Sequence, residues 1–557
     1  MGHKQANRRI RLLLGVFALV FAATFARAVW LQGVKAASLS KMAQRQHRES
    51  VVIPAGRGTI FDDTGVPIAI GEQTTTVYAD PRQVRRPRAL AVAAHRILGV
   101  DADKLYQQLL NRKSSFLYVQ RFADPKAAAA LLDKNFAGVL SYPEERRTYP
   151  QNSVASQVIG YAGTDNKGLT GLEMEYDKRL SGKPGKQTVV RDPFGQAIDI
   201  ISATPERQGT AIVTTLDRTI QANAEAVLRQ TIHDWGAKSA TAVVLDPRTG
   251  AVLAMAQAPG YNANKSNTVP FALQRNRSVT DMYEPGSVFK VVTIAGALTT
   301  GLVTPNTKFV LPYSIRVADR TVSDAEHRPT ETMSVAQILS RSSNVGAVTI
   351  AEKLGANDLM NWIGRFGFGK KTGIDFPGEI AGDVLPLDQW SGSTIGNVPI
   401  GQGVAVTPIQ LAAAYSAIAN GGVWVQPHLV ARVGGRAAHL VRRRVVSATV
   451  DHELKTMLTG VVDEHGATGT AAAIPGYSVA GKTGTAQVPG PNGYTTGKYV
   501  ASFVGMVPVA KPRLVVLVTV DEPTRAIYGG TVAAPAFAEI AKFDLQYLSV
   551  APDMPVH

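Results

Sequence analysis

The longest uncharged apolar stretch of the chain comes first, from Leu12 to Ala26, and Ala28-Val29-Trp30-Leu31 resumes it after Arg27. With a rise of about 1.5 Å per residue, a helix over Leu12 to Leu31 can cross a hydrocarbon core of about 30 Å. Residues 35–50 then turn polar and predict a helical connector. Val51-Val52-Ile53 predicts a strand and Pro54 to Gly58 a turn. Thr59-Ile60-Phe61, Asp62-Asp63-Thr64-Gly65 and Val66 to Ile70 predict strand, hairpin turn and strand. Residues 85–140 carry alanine-rich helical segments. In Asp124 to Leu132 the aspartate can cap and Pro125 can open the first turn. From Gly171 the pattern is mixed, with a β-rich stretch between Gln208 and Asp217.

A second module is predicted from about Ile220. Thr241 to Leu245 and Val252 to Ala256 flank Asp246-Pro247-Arg248-Thr249-Gly250, a hairpin around a Pro/Gly turn. Apolar helical segments follow at Val288 to Leu298, Val335 to Leu339 and Ile409 to Ala419. Tyr477 to Gly481 and Phe503 to Val507 read as strands, and Leu514 to Val520 as a buried one. Strands separated by helical segments predict a layered α/β or α+β domain. There is no internal repeat and no long low-complexity linker.

Length and charge sharpen this picture. A chain of 557 residues exceeds one core and suits several domains of about 100–200 residues. With no cysteine, disulfides, thiolate nucleophiles and thiolate metal sites are excluded. No metal-ligating cluster and no cofactor motif is read from the chain. The formal charge is +16, yet residues 1–50 hold nine Lys or Arg against Glu49 alone. Half of the excess therefore sits beside the apolar span, and the remainder is thin, with short runs such as Arg442-Arg443-Arg444. That distribution argues against a nucleic-acid face, which needs basic residues concentrated on folded elements with stacking aromatics between them. Lys4, Arg8, Arg9 and Arg11 before the span keep the amino terminus in the cytoplasm and send the bulk of the chain outside. Arg27 can snorkel and Trp30 suits the interface. A cleaved signal peptide is the rival, because Ala26-Arg27-Ala28 has the small-x-small pattern. The apolar continuation after Ala28 favours an uncleaved anchor.

The sharpest chemical feature is Tyr283-Glu284-Pro285-Gly286-Ser287-Val288-Phe289-Lys290. Pro-Gly turns the chain into an apolar helix, so Ser287 falls at the helix start with Lys290 one turn later on the same face. A serine hydroxyl needs a base. A lysine among Val288, Phe289, Val291 and Val292 can lose its charge by desolvation and supply one. The helix start also offers N–H groups to an oxyanion. One such spacing carries little by itself, since Ser38-Leu39-Ser40-Lys41 repeats it beside the membrane span. Ser342-Ser343-Asn344 provides a hydroxyl and an amide on a short loop, though helix capping explains such a tripeptide equally well. Lys482-Thr483-Gly484-Thr485 lies in a predicted strand, where the lysine supplies charge and the threonines hydroxyls. There Gly484 would let a ligand backbone approach, and the strand edge would offer donors to an extended peptide. Lys371-Thr372-Gly373 has the same spelling in a turn-rich setting that runs on to Glu379. Order and flanks separate the two.

Ser-x-x-Lys, Ser-x-Asn and Lys-Thr-Gly-Thr in this order resemble the active-site set of penicillin-binding proteins and serine β-lactamases. The resemblance runs along nearly the whole chain. Arg57-Gly58-Thr59-Ile60-Phe61-Asp62, Arg147 with Tyr149-Pro150, and Gly171-Leu172-Glu173 with Tyr176-Asp177 are similar to the pedestal of class B members. Asn276-Arg277, Thr372-Gly373-Ile374-Asp375, Thr407-Pro408 with Gln410, and Tyr528-Gly529-Gly530 with Ala533-Ala534-Pro535 are similar to their transpeptidase module. The fold implied is an α/β (α+β layered) serine transpeptidase or β-lactamase-like domain, a β-rich mixed pedestal and one amino-terminal transmembrane helix. The implied organisation is a cytoplasmic tail (1–11), an anchor (12–34), a dimerisation or pedestal module (35–219), a transpeptidase domain (220–547) and a tail (548–557).

Carried over by position, the resemblance implies that Ser287 is the acylated nucleophile and Lys290 its base. Ser342 and Asn344 would assist proton transfer and donor positioning, with Ser343 at the variable position. Lys482 would contribute field, and Thr483, Gly484 and Thr485 would bind the donor. The N–H groups of Ser287 and Thr485 would form the oxyanion hole. The implied donor is a peptidoglycan stem peptide ending in D-Ala-D-Ala, the acceptor an amine on a neighbouring stem, and β-lactams covalent inhibitors. A membrane glycosyltransferase and other division proteins are the implied partners, at the bacterial cytoplasmic membrane with the catalytic module outside. The segment from Asn276 to Gly286 looks more like a division-type (septal) enzyme than an elongation-type one. A β-lactamase or sensor would need neither anchor nor pedestal, and Glu379 sits in the transpeptidase context. A bifunctional synthase would need glycosyltransferase glutamates before residue 220. A non-enzymatic scaffold would not need the intact triple motif.

Overall fold

The computed structural model describes residues 2–36, 48–191, 197–491 and 493–555. Two compact units divide them. The smaller comprises residues up to Gly56 together with Gly182–Gln208. It contains a helix over Gly2–Val29, continued by a wider turn at Trp30–Val34. The stretch Asn7–Val34 is long and apolar enough to cross a membrane, and its large apolar side chains, such as Leu19 and Phe21, are exposed. The same unit holds a three-stranded antiparallel sheet of Arg48–Ile53, Gly185–Arg191 and Ala197–Thr204. The polar connector expected over 35–50 therefore ends earlier, because residues 48–50 already pair as strand. Residues 37–47, including Ser38 to Lys41, lie outside the described residues.

The larger unit runs over Arg57–Ser181 and Gly209–His557. Its first part is organised by a long strand, Pro67–Ala79, flanked by Leu117–Ala123 and Val139–Thr148. Ile60–Phe61 pairs with its start as the expected hairpin, and Asp62 closes the turn by accepting from Val66 N at 2.7 Å. Asp124 caps Pro125–Leu132 by accepting from Lys126 N and Ala127 N, as its place before proline predicts. Val77, Ala79 and Val119 bury one face of the sheet under Leu90, Leu105 and Leu131, one from each of the helices Pro87–Leu98, Ala102–Leu109 and Pro125–Leu132. Arg57, Arg147 and Glu173, far apart in sequence, meet in a buried ion cluster. Glu173 receives Arg57 Nε and Arg147 Nε at 2.6 Å each, while Arg57 Nη1 reaches Asp177 at 2.7 Å.

The second part is built on five antiparallel strands: β1 (Ser239–Leu245), β2 (Val252–Ala258), β3 (Ala480–Gly490), β4 (Gly493–Val507) and β5 (Leu514–Asp521), in the order β2-β1-β5-β4-β3. β1 and β2 form the expected hairpin. The unbroken apolar run of β5 follows from burial on both faces. Val516, Val518 and Val520 face one core with helices Arg218–Trp235 and Gly529–Tyr547. Val515 and Leu517 face a second core with Lys290–Thr299, Pro408–Ala419 and Ala448–Asp463. This is the three-layer arrangement that strands split by helices predict. One boundary differs: β3 begins at Ala480, not at Tyr477, so Lys482 to Thr485 lie inside it. β3 is also the sheet edge, so one side of its backbone is unpaired in the sheet.

Candidate active site

Ser287 sits on a 3₁₀ turn, Gly286–Phe289, and the α-helix proper starts at Lys290. The turn is possible because Gly286 adopts φ +59°, a left-handed value that glycine adopts without steric cost. Gly286 N donates to Gly401 O at 3.0 Å. Tyr415 OH, itself buried, donates to Val288 O at 2.8 Å. The turn lies against β3, since a Cβ on Gly286 would stand 3.1 Å from Thr485 O. Ser287 is partly exposed, whereas Val288, Phe289 and Lys290 are buried.

Lys290 points inward to the middle motif. Its Nζ donates to Asn344 Oδ1 at 2.7 Å, to the carbonyl of Ser342 and, at 3.3 Å, to Ser342 Oγ. From the other side Lys482 Nζ donates to the same Ser342 Oγ at 2.9 Å, and to Thr483 O and Oγ1 at 3.3 Å. Both lysines are 0% exposed. Burial pushes Lys290 down to about 7, opposed by the charge of Asp324. Burial and the neighbouring Lys290 push Lys482 well below the usual lysine range. Two amines sharing one hydroxyl in so dry a place do not both stay cationic, so the site holds a neutral amine near neutral pH.

The loop that presents Ser342 is held by a residue for which the sequence carries no local sign. Asp324 accepts from Asn344 N at 2.6 Å, Val345 N at 3.0 Å and Ser343 Oγ at 3.0 Å, and pairs with Arg328. Ser343, at the variable position, is the helix cap: its Oγ accepts from Gly346 N at 3.0 Å. Capping thus explains Ser343 and leaves Ser342 unexplained by it. Ser342 has φ +60°, a costly backbone for a non-glycine residue, and its Oγ stands between the two lysines. Both ends of the Asn344 amide are engaged, Oδ1 by Lys290 and Nδ2 by Ser323 O at 2.9 Å.

On β3, Thr483 Oγ1 lies 2.8 Å from Thr468 Oγ1, and Thr485 Oγ1 accepts from Gly529 N at 3.0 Å. Accepting that bond leaves the Thr485 hydroxyl proton free to donate. Gly484 has a packing role that the sequence did not announce. Its missing Cβ makes room for the protein itself, since a Cβ there would stand 2.3 Å from Ser502 Oγ and 2.9 Å from Pro285 O. Glycine at 484 therefore lets the Ser287 turn seat on β3. Gly529 is equally constrained, with Gly484 O and Ser502 O each 2.2 Å from a Cβ built on it.

The structure thus brings Lys290, Ser342, Asn344 and Lys482 into direct contact, and sets the Ser287 turn against the Thr483–Thr485 strand. Among the described residues Ser287 Oγ has no hydrogen-bond partner, and no group of three or more His, Cys, Asp or Glu could hold a metal ion. The second Lys-Thr-Gly segment is elsewhere in a loop. There Glu379 accepts from Thr372 N at 2.7 Å, Thr372 Oγ1 at 2.6 Å and Gly373 N at 3.1 Å. Sequence reading missed Asp324, Thr468 and Tyr415, which act through tertiary contacts alone.

Comparisons with known proteins identify the family. Residues 240–542 match the penicillin-binding protein transpeptidase domain, and residues 52–214 the penicillin-binding protein dimerisation domain. The chain is similar to the peptidoglycan D,D-transpeptidase FtsI of Escherichia coli K12, at 32% identity over 98% of this chain and 92% of that protein. It is similar to the penicillin-binding protein PbpB of Mycolicibacterium smegmatis, at 33% identity over 94% of this chain and 88% of that one. Among solved structures it is similar to penicillin-binding protein 3 of Mycobacterium tuberculosis complexed with aztreonam. That likeness has a TM-score of 0.70 and 29% identity over 91% of this chain and 99% of that chain.

Proposed function

The chain belongs to the class B penicillin-binding proteins and is a peptidoglycan D,D-transpeptidase, and we propose that it cross-links stem peptides at the division septum through an ester on Ser287. The observation that carries this reading is the convergence of two buried lysines on Ser342 Oγ beside the Ser287 turn. In the first half-reaction Ser287 Oγ attacks the carbonyl of the penultimate D-alanine and gives its proton to neutral Lys290. The N–H groups of Ser287 and Thr485 take the oxyanion. The C–N bond breaks, the proton travels through Ser342 Oγ to the leaving nitrogen, and D-alanine departs. Lys482 and the hydroxyls of Thr483 and Thr485 hold the donor carboxylate, and Gly484 lets the two walls of the site meet. In the second half-reaction an acceptor amine attacks the ester, returns the proton to Ser287 and frees it.

β-Lactams follow the first half-reaction, and their ester on Ser287 persists because, among the described residues, no carboxylate is hydrogen-bonded to the Ser287 turn's hydroxyl as a deacylating base. Glu379, weighed for that role from the sequence, is spent on the Thr372-Gly373 loop. The division role is supported by likeness to FtsI and by the segment leading into Ser287. An elongation-type role is the alternative. Lys4, Arg8, Arg9 and Arg11, ahead of the apolar run that starts at Leu12, support an amino terminus in the cytoplasm and catalysis outside. A membrane glycosyltransferase would supply the glycan.

Fluorescent penicillin labelling tests the assignment. The parent should carry one long-lived penicilloyl adduct, mapped by mass spectrometry to the Ser287 peptide. Ser287→Ala should lose all labelling at an unchanged melting temperature. Labelling that survives in Ser287→Ala, or rapid multiple turnover of penicillin by the parent, would refute it.

A further inference from the structure

Two basic features of the chain have no part in the chemistry above, Lys371-Thr372-Gly373 and Arg442-Arg443-Arg444. The fold brings them to one cavity of about 680 Å³. Its walls come from the end of the helix Ala356–Phe366, the loop after it, and the paired strands Val423–Val425 and Arg442–Arg444. Arg365, Lys370, Lys371, Arg443 and Arg444 line it, and no Asp or Glu does. None of the residues assigned to acyl transfer contributes to it.

The charge in this cavity is unbalanced. Among the described residues, none of the five cations pairs with a carboxylate, and the Lys370 and Lys371 ammonium groups have no hydrogen-bond partner. The arginines meet only backbone carbonyls: Arg365 Nη2 donates to Val445 O at 2.9 Å, Arg444 Nη1 to Gly421 O at 3.0 Å, and Arg443 Nη1 to Arg365 O. Those carbonyls include the end of a helix, equivalent to about half a negative charge. That falls far short of five positive ones. Burial and the charge of Arg365 both disfavour the Arg443 cation, so the pair is held together against repulsion. Aromatic faces fix both forks, with Arg443 4.6 Å from the centroid of Trp424, its cross-strand partner, and Arg365 4.4 Å from that of Trp362. A concave site lined by one sign of charge focuses field on an anion.

We propose that this cavity binds a diphosphate-bearing ligand. A single carboxylate would neutralise one charge of five. A diphosphate offers several, with oxygens enough to accept from two guanidinium forks and two ammonium groups. The volume falls in the range of small-ligand sites, roughly 300–1,000 Å³. The group can arrive free or as the headgroup of a membrane lipid.

Inorganic pyrophosphate is the probe, titrated calorimetrically into the full-length protein in non-ionic detergent at about 0.15 M ionic strength. The parent should bind at one site, and its melting temperature should rise with pyrophosphate. Lys370→Gln/Lys371→Gln should bind at least about tenfold more weakly, as loss of two ion pairs of ordinary strength implies. Both lysines are exposed, so the double variant should fold, and its melting temperature without ligand checks that. Equal affinity in parent and variant, or no saturable binding to the parent, overturns the site. Reconstitution separates the sources. If phosphatidylcholine vesicles carrying diacylglycerol diphosphate compete with pyrophosphate in the parent, while phosphatidylcholine vesicles alone do not, the ligand is a headgroup. If the diphosphate-bearing vesicles do not compete, it is a soluble diphosphate.

Discussion

Replacing Lys290 by methionine keeps the length of the side chain and removes its charge. Lys290 is wholly buried and held at about 7 rather than 10.5, a displacement equivalent to roughly 5 kcal/mol between its two protonation states. Below about pH 7 the lysine is protonated whether folded or not, and the folded protein bears the full penalty of a buried cation. Between about 7 and 10.5 the unfolded chain holds a proton that the folded one has shed. Stability therefore rises with pH by up to about 1.4 kcal/mol per unit from this group. Above that window the contribution is flat. Lys290→Met abolishes the rise. It also removes the positive neighbour that depresses Lys482, which weakens that residue's slope in the same direction. Urea unfolding followed by tryptophan fluorescence at pH 7, 8 and 9 measures this. The stability of the parent relative to the variant should grow by about 2–3 kcal/mol over those two units. The variant also leaves Ser342 O and Asn344 Oδ1 without a donor, but that cost does not vary with pH. Curves that stay parallel from pH 7 to 9 would refute the claim that a neutral amine sits in this site.

Two further substitutions test how the site is held. Asp324→Asn keeps an acceptor for Asn344 N and Val345 N but removes the charge that favours protonated Lys290, so the acid limb of the acylation profile should move to lower pH by up to about one unit. Rates of penicillin acylation from pH 5 to 9 check this, and a uniform loss of rate with an unmoved limb would make Asp324 merely structural. Gly484→Ala sets a Cβ against Pro285 O and should displace the nucleophile turn, slowing acylation by about 10²-fold while circular dichroism stays unchanged; an unaltered rate would contradict the seating of that turn on β3.

Local patterns in the chain were informative wherever the cause of a structure is itself local. The Asp-Pro-Arg-Thr-Gly turn specifies the β1–β2 hairpin, Asp124-Pro125 specifies a helix start, and the run in β5 marks a strand buried on both sides. Elements with distant causes were harder to read. β3 starts at Ala480 because that is where pairing with Met506 begins, and nothing in Tyr477-Ser478-Val479 announces it. Residues 48–50 are polar and look helical, yet they pair with Val190, Val189 and Thr188 some 140 positions later. The three motifs were legible as chemistry, but their geometry was not. That Lys290 and Lys482 would meet at one hydroxyl, or that Asp324 would hold the loop between them, depends on contacts spanning 20 to 140 positions. Gly484 illustrates the same limit: a glycine in a strand signals close approach, and only the fold tells whether a ligand or another part of the chain does the approaching.

The same reasoning explains why this site is strained in its resting form. Two lysine amines are taken out of water, one serine is held at a left-handed backbone angle, and Ser287 has no partner among the described residues. None of these features stabilises the fold, and each is offset by its surroundings: the cores on both faces of the sheet, the Asp324–Arg328 pair, and the seating of the turn against Gly401 and Gly484. For the role proposed for Lys290, the arrangement supplies a base that is already neutral, since an exposed lysine near 10.4 would hold only about one part in a thousand as free amine at pH 7.4. A lysine near 7 holds most of its population in that form. The gain in available base is therefore close to three orders of magnitude, and its physical cause is the burial of Lys290.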